Sequence, residues 1–223
     1  MSSCLPCERA DTVVVIDFET SGLSPGLGDR AIEVGAVLIE LGEITRRFQS
    51  LMNPGFRINS FIEAYTGIDN EMLLAAPSSS DVMREFAEFL GTHNLVAHNA
   101  SFDRRFLEAE FSRIRRTYAG TFACSMLLAR RVYPDAPNHR LGSLMVYDNI
   151  AHEGTFHRAL SDAEMTASLW MKMLEHLNRR YSINTVSFAL TQRITRTPKN
   201  SVHKLFSQSC QDHFTTRHNH ANG

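Results

Sequence analysis

TVVVIDFETSGL, residues 12–23, opens on five β-branched residues, Thr12 to Ile16, and then sets two acids, Asp17 and Glu19, before a glycine turn. A run of that composition reads as a central strand buried on both faces. The strand period of two puts both carboxylates on one face of its end. Carboxylates beside such a run are costly unless they meet a cation, which makes them candidate hard ligands for Mg²⁺ or Mn²⁺. A polar strand end facing water is the alternative for this pair taken alone.

Outward from this strand, Gly22, Pro25, Gly26 and Gly28 mark a loop. Residues 31–40 and 44–53, separated by Leu41-Gly42-Glu43, read as two further strands that complete an antiparallel meander. Short helical turns are expected at 60–65 and 69–75. A helix follows in DVMREFAEFLG (81–91), where Val82, Phe86, Phe89 and Leu90 recur at helical spacing. A strand at 94–98 leads into a helix over 102–115, and TFACSMLLARRVY (121–133) gives a brief strand running into another. LGSLMVYDN (141–149) reads as a helix. The last long helix is expected from near Ser161 to Tyr181, with Ser161 and Glu164 at the spacing of a capping box. Weaker helices are expected at 186–193 and 202–206. A meander followed by alternating helices and strands gives an α/β fold, a ribonuclease H-like mixed five-stranded sheet flanked by helices. The expected organisation is a domain over 1–182, frayed over 1–11, then an extension over 183–223, partly helical and then mobile.

With 223 residues, 43% hydrophobic and 21% charged, the chain reads as a soluble domain large enough for a real core. No stretch reaches the roughly 18 to 20 apolar residues of a membrane helix, and the N-terminus lacks a signal-peptide pattern, so the expected location is cytoplasmic with no membrane partner. Cys4, Cys7, Cys124 and Cys210 are too scattered for a disulfide framework. The CxxC of Cys4 and Cys7 lacks a second ligand pair for zinc and reads as free thiols. Residues 1–180 hold 18 Lys+Arg against 23 Asp+Glu, whereas 181–223 hold 5 against 1. The basic end is either a surface for a polyanion or a solvated tail.

Two further constellations carry chemistry. Asp103 lies in LVAHNASFD (95–103) at the start of the expected helix, with Ser101 as its N-cap, where the helix dipole favours an acid without any catalytic duty. Asn99 and Phe102 beside it add an amide and an aromatic face, either of which could simply pack or could meet a nucleotide. His157 and Asp162, in HRALSDA (157–163), place an imidazole before a helix and an acid in its first turn. Such a pair can flank one cavity, the histidine taking a proton near neutral pH while the acid supplies a metal oxygen. Arg104, Arg105, Arg113, Arg115 and Arg116, offset by Asp103, Glu108 and Glu110, read first as a solvated helix face and second as a nucleic-acid track.

In order and context, DFETSGL, HNASFD and HRALSDA resemble the three motifs of the DnaQ-like DEDDh 3′→5′ exonucleases, the family of the proofreading epsilon subunit of DNA polymerase III. The resemblance covers about residues 12 to 180, and Thr66-Gly67-Ile68 and Pro77 fit between the first two motifs. It implies that Asp17, Glu19, Asp103 and Asp162 hold two divalent cations, Mg²⁺ or Mn²⁺, and that His157 is the general base. It implies hydrolysis of the last phosphodiester of a single-stranded 3′ end, releasing a nucleoside 5′-monophosphate. Thr20, Gly22 and Leu23 would line the terminal-nucleotide pocket together with Asn99 and Phe102, Leu23 wedging against the base; core packing is the alternative for Leu23. Close backbone approach would explain Gly22. Thr66 stands where many relatives carry a histidine, and Ser21 where threonine is more usual. DNA is the expected substrate, in proofreading or repair, with a polymerase subunit as a partner that could dock on 183–223. RNA 3′-end trimming is the variant within the family, and an inactive nucleic-acid or polymerase-binding module is the rival of another class.

Overall fold

The computed structural model describes residues 8–151 and 158–206. Five strands, β1 (Val13–Thr20), β2 (Ala31–Glu40), β3 (Glu43–Leu51), β4 (Leu95–Ala97) and β5 (Phe122–Cys124), lie in the order β3-β2-β1-β4-β5. β1 to β3 form the antiparallel meander, while β4 runs parallel to β1 and β5. This is the mixed five-stranded, ribonuclease H-like sheet that the order of elements implies.

β1 has strands on both sides and helices on both faces, which is why a β-branched run suits it. Val13 and Val15 point into one core with Val37, Ile39 and Trp170; Val14, Ile16 and Phe18 point into the other with Phe86, Phe106 and Leu107. Asp17 and Glu19 continue the face of Val13 and Val15, but at the strand's end, where the apolar packing stops. The helices are α1 (Ser60–Thr66), α2 (Asn70–Ala75), α3 (Ser79–Leu90), α4 (Ser101–Arg113), α5 (Ser125–Val132), α6 (Leu141–Tyr147), α7 (Ala159–Tyr181) and α8 (Phe188–Arg196), and residues 202–206 are helical as well. α3 and α4 supply Phe86 and Phe106 to one face, and α7 crosses β1 and β2 on the other. None of the described helices is long and apolar enough to cross a membrane.

Two local expectations are corrected. α7 begins at Ala159, so Ser161 lies inside the helix and is not its cap; its buried Oγ finds no partner among the described residues. Glu164 pairs instead with Arg47 of β3 at 2.6 Å. Fraying of residues 1–11 does not hold for 9–11: Ala10 is buried, its carbonyl accepts from Trp170 Nε1 at 2.7 Å and its N–H donates to Val186 O at 3.0 Å. Cys4, Cys7 and Cys210 lie outside the described residues, and Cys124 is a free thiol.

Residues 183–206 are built into the α7 side of the core. Phe188, Ile194, Val202 and Phe206 are buried there, and the rings of Tyr181 and Phe206 stack at 3.6 Å. Arg131 of α5 ties α8 down by donating to the carbonyls of Thr195 and Thr197 at 3.2 and 2.7 Å.

The approach of α7 to the sheet requires Gly35. A Cβ there would stand 2.1 Å from the carbonyl carbon of Ala159 and the nitrogen of Leu160, both backbone atoms that have nowhere to go. Gly35→Ala should therefore destabilise the fold by about 1–3 kcal/mol through overpacking, read as a lower midpoint in urea unfolding. An unchanged midpoint would show that α7 does not lie this close to β2.

Candidate active site

Asp17 and Glu19 reach the end of β1 just where the first turn of α7 brings Asp162 over the sheet. Carboxylate oxygens of the three lie within 4.8 Å of one another. Asp103 comes from the other side, in the first turn of α4, and is only 2% exposed. Its carboxylate accepts hydrogen bonds from its own backbone N–H and from that of Phe18. Ser101 is not the cap of α4; Ala100 holds that position without a side-chain bond, after Asn99 in the left-handed region at φ 74°. Asparagine tolerates that conformation better than most residues, and it lets β4 turn sharply into α4 beside β1.

The crowding has an electrostatic consequence. Burial first, and then the charges of Asp103, Asp162, Glu19 and Glu33, hold Asp17 far above the usual carboxylate range. Burial and the charges of Asp162, Glu33 and Asp103 push Glu19 up to about 8, against a smaller opposing effect of Arg158. Burial raises Asp103 to about 7, while its two backbone hydrogen bonds oppose the rise. Four carboxylates so placed cannot all ionise at neutral pH without added positive charge. Hard oxygen donors converging under that demand suit a small divalent cation, so the residues fit the metal that the sequence implies.

The cluster forms the floor of a cavity of about 710 Å³. All five residues expected to meet substrate line it: Thr20, Gly22, Leu23, Asn99 and Phe102. Leu23 is 74% exposed, which excludes the core-packing alternative. Thr20 Oγ1 donates to the carbonyl of Gly22 at 2.7 Å, fixing the turn. A Cβ at position 22 would lie 2.4 Å from the carboxylate of Asp29, which accepts from the Ser24 N–H at 2.9 Å. Phe102 rests on Phe106 with ring centres 5.0 Å apart. His157 falls outside the described residues.

Several wall residues escaped the reading of the sequence. Phe61 and Tyr65 of α1 stack on each other at 6.0 Å, remain 71% and 53% exposed, and face the cavity. Two aromatics four apart on a short expected helix were the available signal. His98 also lines the cavity, but burial lowers it to about 4 and its ring nitrogens lie 2.8 Å from Ser125 Oγ and 3.0 Å from the carbonyl of His139. Its imidazole is engaged and neutral, and is no rival proton acceptor. The arginine-rich helix face needs correction too. Glu110 is buried, its carboxylate gripped by Arg30 through bonds of 2.7 and 2.8 Å, and Arg115 and Arg116 lie beyond the end of α4.

Residues 14–170 match the exonuclease family model of the RNase T type. The chain belongs to the DnaQ-like 3′→5′ exonuclease family. It is 35% identical over 173 residues to the DNA polymerase III subunit epsilon of Aquifex aeolicus, spanning 77% of this chain and 85% of that one. It is 39% identical over 176 residues to the PolC-type DNA polymerase III of Caldanaerobacter subterraneus, spanning 78% of this chain but 12% of that much longer protein. Among solved structures, Exonuclease X in complex with 5′ overhanging duplex DNA superposes with a TM-score of 0.61 at 28% identity, over 73% of this chain and 91% of that one. The exonuclease family depends on divalent metal, in keeping with the carboxylate cluster.

In the absence of divalent ions the raised carboxylates make stability pH-dependent. Glu19 and Asp103 bind protons in the folded chain up to about 8 and about 7, but release them near their ordinary values, 4.5 and 3.8, when unfolded. Their contribution is complete below pH 4 and is lost as pH rises through 7 to 8. In EDTA, the melting temperature of wild type relative to Glu19→Gln should therefore fall between pH 5 and 8.5, and Mn²⁺ should reverse the fall. A difference that stays constant with pH would refute the charge crowding.

Proposed function

We propose that the chain is an active 3′→5′ exonuclease that hydrolyses the terminal phosphodiester of DNA and releases nucleoside 5′-monophosphates, in proofreading or repair. The convergence of Asp17, Glu19 and Asp162, with Asp103 buried beside them at the floor of an open cavity, carries this reading. Asp17, Glu19, Asp103 and Asp162 would hold two divalent cations, Mg²⁺ or Mn²⁺. When bound, such ions supply activation of water and charge stabilisation at the phosphate and leaving oxygen.

The chain's own groups do the rest. His157, immediately before Arg158 and the start of α7, takes the proton from the attacking water. As the new bond to phosphorus forms, the bond to the 3′ oxygen of the penultimate nucleotide breaks, and that oxygen takes a proton from solvent. Leu23 wedges against the terminal base, and Phe61 and Tyr65 offer an exposed aromatic wall for the unpaired strand. Stacking on such rings is worth about 1–3 kcal/mol per base and is indifferent to sequence. The relatives named as DNA polymerase III proteins favour DNA over RNA and a polymerase as partner.

Comparison of 3′-labelled single-stranded DNA and RNA with Mg²⁺ tests the substrate; preference for RNA by a wide margin would make the chain an RNA-trimming enzyme. Asp17→Ala should lower turnover by about a thousandfold, several kcal/mol of transition-state stabilisation at roughly 1.4 kcal/mol per factor of ten, with the fold retained by circular dichroism. Release absent from wild type would support the binding-module alternative, whereas release unchanged by Asp17→Ala would refute the proposed site. His157→Ala should cost about a hundredfold or more in rate and leave Mn²⁺ affinity intact, as suits a base that is not a ligand. Tyr65→Ala should raise KM for oligonucleotides by about tenfold with kcat little changed; an unaltered KM would remove the aromatic wall from the binding surface.

A further inference from the structure

Glu33 is a buried carboxylate beside the cluster to which the chemistry above gives no task. It stands on β2 directly opposite Glu19 and is 0% exposed, although like charges on facing strand positions repel each other. Four donors converge on it. Oε1 accepts from Arg158 Nη2 at 2.9 Å and Gln49 Nε2 at 2.8 Å, and Oε2 accepts from Arg158 Nε at 3.2 Å and the backbone N–H of Ala159 at 3.1 Å. The fork of Arg158 with the two carboxylate oxygens restricts rotation of either group.

Ala159 is the first residue of α7, and Arg158 in the cap position supplies no side-chain cap of its own. The acceptor that α7 lacks thus comes from a strand, at the helix end where a negative charge is most favourable. Two residues along the same strand face, Gly35 lets the backbone of Ala159 and Leu160 press against β2. Asp162 rises from the turn that these two contacts pin. We propose that Glu33 is a positioning residue: by capping α7 and clamping Arg158 it fixes Asp162 against Asp17 and Glu19, so that the cluster's affinity for cations depends on a carboxylate that binds none. This rests on the reading of the cluster as a divalent-ion site.

The test measures Mn²⁺ binding to the full chain by titration calorimetry, with nuclease kinetics alongside. Glu33→Gln keeps the side chain's size but turns an amide NH₂ toward groups that themselves donate. Partners standing behind ligands typically cost about 10–100-fold in metal affinity or activity when changed, and a loss in Mn²⁺ affinity of that size is expected here. KM for an oligonucleotide should stay as in wild type, because Glu33 and Arg158 do not line the cavity. Wild-type Mn²⁺ affinity in Glu33→Gln overturns the proposal, as does a raised KM without a change in Mn²⁺ affinity. Should Glu33→Gln fail to fold by circular dichroism, Arg158→Gln decides: it leaves the Gln49 and Ala159 bonds in place, a loss of about tenfold is expected, and unchanged affinity overturns the proposal. Asp17→Ala separates the two readings. If wild type binds no Mn²⁺, or Asp17→Ala binds it as wild type does, the ion site itself is wrong and the role of Glu33 falls with it.

Discussion

Repulsion among carboxylates at the end of β1 is the constraint that shapes the chain around it. The strand is apolar over Val13 to Ile16 and carries Asp17 and Glu19 towards its end. Two more acids, Asp103 and Asp162, are brought to the same place by helices from opposite sides of the sheet. Burial raises the proton affinity of Asp17, Glu19 and Asp103, and neighbouring charges raise that of Asp17 and Glu19 further. An arrangement that resists ionisation in this way gains from divalent cations, so the instability of the bare cluster and its fitness for metal chemistry have one cause.

Holding four acids together against that repulsion requires stiff supports, and the fold supplies them through main-chain contacts. Asp103 is oriented by amides, including that of Phe18 on the strand carrying the first two acids. Asp162 depends on α7, whose first turn is pressed onto Gly35 and tied to Glu33. Farther along, Trp170 anchors the same helix to Ala10, and the residues after it close over Leu174 and Leu177 through Phe188 and Phe206. A long helix buried at several points along its length transmits little slack to its first turn.

The cavity above the acids has a different character. Leu23, Phe61 and Tyr65 stay exposed around it, where an apolar side chain would normally seek cover. Exposed aromatics at the mouth of a charged site suit flat bases entering above a phosphate that meets the floor.

Much of this was legible in the linear chain because its signals are local. Five β-branched residues ending in D-x-E specify a buried strand with two acids on one face, and the helical spacing of Val82, Phe86, Phe89 and Leu90 specifies a covering helix. Order and context of the three motifs were enough to resemble a family and to name four acids and a histidine. What the sequence could not show are relations between residues distant along the chain. Ser161 and Glu164 have the spacing of a cap, yet the acceptor for α7 is Glu33, 126 residues before Ala159. Glu110 reads as part of a solvated arginine face, yet it is buried against Arg30, 80 residues away. Gly22 makes room for the side chain of Asp29, a neighbour set by the course of the loop. Periodicity and composition determined which elements form and which residues carry charge. Only the tertiary structure decided which buried charges meet, because pairing depends on distances of a few ångströms between segments whose separation the one-dimensional pattern does not encode.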